Sequence, residues 1–207
     1  MNFPSGLASI EFTPFIPTDQ ARDEAGNVWQ THDADPYWQG KGRTGKLNFD
    51  RWQDWDGFML DAMVNRRAIE FVDPVYRLPG AYRSTGVLPF GFSGTGSLVN
   101  LDDPLAPVVA GLPVGLVLRR GDRIGFANAD NKTLHVITAG ITVSSNTAQA
   151  IEVLPPVLPN VFDTGDDVVL KDAVLRLNIE PNSWSAPRIA RQDSVGTFSV
   201  TEAGIVA

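Results

Sequence analysis

The segment from Asp50 to Pro74, DRWQDWDGFMLDAMVNRRAIEFVDP, constrains the fold more than any other, because it alone reads as a helix running straight into a strand. Trp52, Trp55, Met59, Ala62 and Met63 recur at three- and four-residue steps, which puts indoles and thioethers on one helical face. The spacing predicts a single helix over about residues 50–65, with Asp50 as its cap and Gln53 reaching back to it as in a capping box. A helix this short does not stand alone, so its apolar face must lie on a sheet. The first partner expected is the Ala68 to Val72 run, which Asp73-Pro74 brings to an end.

The rest of the chain reads as short strands. Its 15 prolines and 19 glycines are spread along 207 residues instead of clustered, which punctuates many brief segments and argues for a mainly β fold. Eleven Phe and five Trp suit the inner faces of a β-sandwich. The length allows one large β domain or two small ones, each with a real core. With no cysteine, a disulfide framework and a thiolate metal site are both excluded, and the redox compartment stays open.

A net charge of -7 and a pI near 4.7 argue against a grip on nucleic acid, which needs clustered Lys and Arg to replace the counterions of the polyanion. A surface that merely lets DNA pass would carry this sign. The apolar runs are too short for a membrane span, and the start MNFPSGLASIEF lacks a positive region followed by an apolar one. Neither a span nor a secretion signal is expected.

Along the chain, Ile10 and Phe12 alternate with Glu11 and Thr13 in a first strand over Leu7 to Phe15, which Pro14 and Pro17 mark as an edge or a bend. Thr18 to Asn27 reads as a charged link with a hairpin turn at Ala25-Gly26-Asn27, and Asn27 to His32 as the second strand. The segment Tyr37 to Phe49 carries Gly40, Gly42 and Gly45 among Lys41, Arg43 and Lys46, and is expected to be bent or partly a loop. It does not fit a phosphate loop, because Gly45-Lys46 is followed by Leu47 where a Ser or Thr is required. His32, Asp33 and Asp35 read as a solvated turn, since two histidines are too few for a His-rich ligand set. Asp54, Asp56 and Asp61 belong to the polar face of the helix.

From Ala81 to Gly115 the text turns to Gly, Ser, Pro and small apolar residues, with short strands at Gly94 to Val99 and Val108 to Gly111. Leu116 to Val157 is the clearest β text: one hairpin about Ala129-Asp130-Asn131, and a second about Ser145-Asn146 that pairs Ile141 to Val143 with Ile151 to Val153. Within it Arg120-Gly121-Asp122 spells a short adhesion motif, but Gly-Asp between two apolar strands is ordinary turn chemistry. His135 lies mid-strand without a Ser or Cys nucleophile motif and reads as a packed imidazole. Val168 to Ile179 returns to strand text, with Leu175, Leu177 and Ile179 on one face and Arg176 and Asn178 on the other. A loop over Glu180 to Asp193 carries Trp184, Arg188 and Arg191, and Thr197 to Val200 is a final strand. The order implies a first domain over residues 1–82 plus 164–207 and an inserted antiparallel β module over residues 83–163, with junctions near Tyr82 and Asp163. No catalytic residue, cofactor or metal site is expected.

WQGKGRTGKLNFDRWQDWDGFMLDAMVNRRAIEFVDPVYRLP, then GTGSLVNLDD, GLVLRRGDRIGFANADNKTLHVITAGITVSSNTAQAIEVLPPV and AVLRLNIEPNSWS, together resemble the distal tail protein family of long-tailed bacteriophages. The places that carry the resemblance are Phe71, Asp73, Pro74, Gly121, Asp122, Ile124, His135, Val136, Pro155, Pro156, Leu175, Leu177 and Trp184, with gaps between them from Trp38 to Ser185. Each piece is short and degenerate; the succession is what matches. The resemblance implies a virion structural protein at the tail tip, not an enzyme. Its first domain would be a tail-tube-like belt sandwich carrying the inserted module outside. Copies of the chain would close a ring, a homohexamer, between the tail tube protein and the tail-tip hub protein, through which DNA passes without specific binding and without a membrane. Lys41, Arg43, Lys46, Arg66 and Arg67 are a local basic excess that departs from an acidic bore.

Two other classes fit parts of the sequence. A carbohydrate-binding tail-tip module would use Trp29, Tyr37, Trp38 and Trp184 as exposed sugar platforms, although such aromatics more often fill a core or a subunit seam. A glycan-cleaving enzyme would need paired carboxylates, and no pair is singled out by spacing.

Overall fold

The structure, a computed structural model, describes residues 1–22, 28–32, 36–145, 147–187 and 194–203, with 19–22 and 28–32 as backbone only. The chain is mainly β with one α-helix, as composition and spacing predict. In chain order the elements are β1 (Leu7–Phe15), β2 (Thr18–Arg22), β3 (Val28–His32), β4 (Tyr37–Thr44), α1 (Phe49–Val64) and β5 (Ile69–Val72). There follow β6 (Thr95–Asn100), β7 (Val108–Ala110), β8 (Val117–Leu118), β9 (Arg123–Ala127), β10 (Lys132–Ile137) and β11 (Ile141–Thr142). The last are β12 (Gln149–Ala150), β13 (Val153–Leu154), β14 (Asp167–Val169), β15 (Val174–Ile179) and β16 (Thr197–Glu202).

These elements fall into two compact units, one of Met1–Ile69 with Leu177–Ala203 and the other of Glu70–Arg176. A discontinuous first unit interrupted by a second is the arrangement expected. The junctions differ: they lie inside β5 and β15 and not near Tyr82 and Asp163. The shift in composition from Ala81 marks a run of turns, and a junction within a strand leaves no compositional trace.

Unit 1 is built on a sheet of order β1-β4-β16-β15-β5. Register decides what each face carries, since residues paired across antiparallel strands share a face. Phe12 pairs with Gly40, and Gly40 with Val200; Ile10 pairs with Gly42, and Gly42 with Phe198. Glu11 pairs with Lys41, and Lys41 with Ser199. One face is therefore apolar and the other polar. β1 lies at the edge of the sheet, which accommodates Pro14 without a break, so the strand continues to Phe15. β4, expected to be bent or partly a loop, is a continuous strand between β1 and β16. Its glycines make room for rings: a Cβ at Gly42 would lie 2.1 Å from Cζ of Phe198, and one at Gly40 would lie 2.9 Å from the Phe12 ring.

The helix runs over Phe49–Val64 and is capped by Asn48, whose side chain accepts from the Arg51 backbone N–H at 3.1 Å. The expected cap, Asp50, lies in the first turn instead, where its charge suits the helix dipole. Phe49 is 75% exposed, so the apolar pattern gave no sign that the helix begins there. Thr18–Arg22, read as a link, is a strand that pairs with β3 in its own two-stranded ribbon. The turn foreseen at Ala25-Gly26-Asn27 lies outside the described residues.

Unit 2 holds a seven-stranded sheet of order β12-β7-β6-β14-β9-β10-β13 and a ribbon of β11 with β8. One core fills it, from Leu98, Val109, Leu118, Ile124, Phe126, Ile137, Val153 and Val168 among others. The β9–β10 hairpin forms as expected about Ala129 to Asn131. The second expected hairpin does not: Ile141 pairs with Leu118, while Val153 pairs with Ile137. Short apolar runs carry no signal for which partner they take, and here non-local pairing wins. Leu134 and His135 are adjacent in the strand and both buried, because β10 is covered on both sides. The run from Val168 to Ile179 is two strands in two sheets, separated by a bend at Lys171 and Asp172, the latter at φ 53°.

Candidate functional site

The helix face foreseen from spacing is only partly enclosed. Trp55, Met59 and Ala62 are buried, while Trp52 and Met63 are half-buried on its flanks. Trp55 is the centre of an aromatic cluster: it stacks on Trp184 at 6.0 Å and 17°, on Phe3 at 6.0 Å, and lies 5.9 Å from Phe198 of β16. Its indole N–H donates to the Ser5 carbonyl at 3.0 Å, and that of Trp184 to an Asp56 carboxylate oxygen at 3.0 Å. Both polar handles are thereby satisfied, as buried indoles require. The ring of Trp184 fits because residue 196 is glycine; a Cβ there would lie 2.2 Å from it. The helix thus packs on residues near both chain ends, Phe3, Ser5, Trp184 and Phe198, distant in sequence.

Opposite the apolar face, the unit 1 sheet presents a mainly polar surface, with Phe15 and Tyr37 together at one end of it. Ser9, Glu11, Lys41, Arg43, Ser183, Thr197 and Ser199 line a shallow depression of about 420 Å³, and Thr13, Gln39 and Glu180 extend it. Glu11 and Glu180 balance Lys41 and Arg43, so the formal charge of this surface is zero. Of the five residues of the basic excess, Lys41 and Arg43 sit here. Lys46 precedes the helix, and Arg66 and Arg67 follow it, with Arg67 3.5 Å from Asp61.

The proposed sugar platforms are not free rings. Trp38 is buried, and Trp184 is half-buried against Trp55. Tyr37 is half-buried and packs on Phe15 at 5.2 Å, and the side chain of Trp29 lies outside the described residues. Asp33, Asp35, Arg188 and Arg191 also lie outside them. Among the described residues no group of three or more His, Asp or Glu is disposed to hold a metal ion.

Asp122 of the Arg-Gly-Asp sequence is 2% exposed and accepts from the backbone N–H groups of Gly80 and Arg119, each at 2.7 Å. It ties two turns together and is not presented to a receptor. His135 is a packed imidazole, edge-on to Phe126, with Nδ1 2.6 Å from the Pro155 carbonyl and Nε2 2.8 Å from the Thr133 hydroxyl. Burial pushes it down to about 4, against a smaller opposing effect of the Pro155 carbonyl.

Sequence reasoning missed Glu202 altogether. It lies on the apolar side at the end of β16, where one carboxylate oxygen accepts from the Trp38 N–H at 3.1 Å. Burial raises it to about 7, the Trp38 hydrogen bond acting weakly the other way. Its place opposite Trp38 would follow from strand register, which the sequence alone does not specify.

Compared with protein-family models and with curated proteins, the chain matches none. No helix is long and apolar enough to cross a membrane, among the described residues.

Proposed function

We propose that this chain is a structural subunit of a bacteriophage tail, a distal tail protein whose copies close a ring between the tail tube and the tail-tip hub or baseplate. The succession of sequence features is what suggests the family. One observation carries the reading: a sheet packed on one side against a helix and an aromatic cluster, and polar and charge-balanced on the other. A subunit of a tube needs such a sheet, with one side committed to holding its shape and the other wet. We assign the polar side to the bore. A duplex passing it would release few counterions, because its two cations are already offset by two carboxylates. The bore of this reading is neutral, not acidic.

Ring closure needs two different and mutually complementary surfaces on each copy. In this reading the partners are other copies of the chain, most simply as a homohexamer, together with the tube and hub proteins. The location is the virion tail tip, and no catalytic step is involved. The carbohydrate-binding alternative draws little support, since Trp38 and Trp184 are committed inside unit 1.

Light scattering and negative-stain microscopy of the purified chain test the reading. The expected result is annular particles of about six copies. A chain that remains a monomer at all concentrations, and that is retained on an oligosaccharide column, would overturn it.

A further inference from the structure

Unit 2 is electrically polarised along β14. At one end of that strand, two turns lie side by side. Gly165 donates to the Leu98 carbonyl at 2.8 Å, and the Thr164 hydroxyl donates to Val99 at 3.0 Å. These turns carry Asp102, Asp103, Asp163 and Asp166, and Asp167 opens β14 beside them. Three of the carboxylates accept short-range bonds: Asp102 from the Asn100 amide, Asp103 from the Leu105 N–H, and Asp166 from the Asp163 N–H. No Lys or Arg occurs between Arg83 and Arg119, or between Lys132 and Lys171. No ion pair involves these five aspartates among the described residues.

The other end of β14 leads into Lys171, about 13 Å away at the rise of an extended strand. Here Arg77, Arg83 and Lys171, with one acid, Asp172, and the apolar Val75 and Leu78, line a groove of about 400 Å³. Arg77 and Arg83 are partly engaged, with Asp172 at 2.6 Å and Asp122 at 3.7 Å, and Arg83 also lies over the Tyr76 ring at 4.4 Å. Lys171 has no ion-pair partner among the described residues. Both ends also expose aliphatic surface: Val75 is 63% exposed at the groove, and Leu105 is 48% exposed at the acidic end.

We propose that unit 2 docks head to tail on unit 2 of a second copy of this chain, the acidic turns of one entering the basic groove of the next. The two patches are complementary in charge and both carry apolar side chains. Fixed at opposite ends of one strand, they cannot meet within a copy, so each is left to a neighbour. Such a contact is heterologous, the kind that closes a ring when its rotation closes. Charge sets its register and rate of encounter, and the aliphatic side chains exclude water. The inference rests on the ring reading above and names the contact that would hold it.

Two reversed variants of the full chain test it: Asp102→Lys, Asp103→Lys, Asp163→Lys and Asp167→Lys together at the rim, with Asp166 kept in its turn, and Lys171→Glu with Arg77→Glu at the groove. Particle mass is read by analytical ultracentrifugation at about 50 and 500 mM salt, which spans strong to weak screening. The unaltered chain should assemble and lose association as salt rises. Each reversed variant alone should associate at least about tenfold more weakly, as like charges then face one another. An equimolar mixture of the two should recover the annulus with the variants alternating, because each rim then meets a groove of opposite sign. That recovery also shows that neither variant has merely failed to fold. Variants that assemble like the unaltered chain, or a mixture that recovers nothing, would overturn this contact and leave the ring reading standing. An unaltered chain that stays monomeric at every salt concentration would overturn both.

Discussion

Unit 1 and unit 2 are both antiparallel β structures, yet they bury their strands in different ways. In unit 1 a single main sheet keeps one face wet and relies on a helix and a cluster of large rings to cover the other. In unit 2 the long sheet and the small ribbon share one largely aliphatic core, and the central strands β9 and β10 are covered on both sides. All five tryptophans belong to unit 1, none to unit 2. The difference teaches that a half-covered sheet needs a few large anchors, whereas a closed core spreads its stability over many small ones. Loss of one anchor should accordingly cost unit 1 far more than loss of one aliphatic side chain costs unit 2.

The sharpest way to break this comparison is Trp55→Asp. It removes the central ring and places a carboxylate among Phe3, Trp184 and Phe198. A loss of at least about 5 kcal/mol is expected, enough to abolish soluble expression, from the cost of truncating a buried Trp plus that of burying a charge. Soluble yield measures it; normal yield would show that the helix face is not the anchor. Hydrogen exchange on any soluble fraction then tells whether unit 2 stays protected, and equal loss in both units would mean that they unfold as one.

Acid should act on the two units in opposite directions. As the pH falls from about 6.5 to about 4, the unfolded chain takes up a proton that buried His135 refuses, so unit 2 should lose roughly 3 kcal/mol. Folded Glu202 keeps a proton that the unfolded chain releases above about 4.5, so its contribution is full below that pH and is lost as the pH rises to about 7. Unit 1 should therefore strengthen by up to about 3 kcal/mol over the range in which unit 2 weakens. Denaturation followed by tryptophan fluorescence reports unit 1, and hydrogen exchange reports unit 2. His135→Gln and Glu202→Gln should each flatten one slope; parallel slopes would contradict the assignment.

Smaller effects sharpen the picture. Asp122→Ala leaves the Gly80 and Arg119 N–H groups without their acceptor and should cost unit 2 about 2 kcal/mol, measured by urea denaturation. A value near zero would mean that the turns hold without it. Asn48→Ala removes the helix cap and should cost unit 1 about 1 kcal/mol, whereas Asp50→Ala should cost less. The reverse order would restore Asp50 as the cap.

How much of this was legible in the sequence depended on whether a signal was local. The helix face was, since Trp55, Met59 and Ala62 repeat at the helical period and carry large apolar groups. So were the β9–β10 hairpin and the alternation of β15, set by neighbouring residues alone. Thr18–Arg22 was not legible as a strand, because its residues are polar and its order comes from the partner β3. Nor was the partner of Ile141, as several short apolar runs compete for the same role. Gly42 suggested bending, while its part is to leave space for Phe198, as Gly196 does for Trp184. The polar surface of unit 1 and the buried acid at its margin appear only when strand register is known. Register is a property of the whole sheet, not of any one segment.

β1 is nine residues long and lies outermost in its sheet. A border strand of that length offers a row of amide and carbonyl groups as a template, and a bare template invites any extended peptide to add itself. Pro14 withholds one donor from the row, and Glu11 sets a charge in its middle. Handled at high concentration, the protein should therefore be most prone to clump along this border, and these two residues are what hold that tendency back.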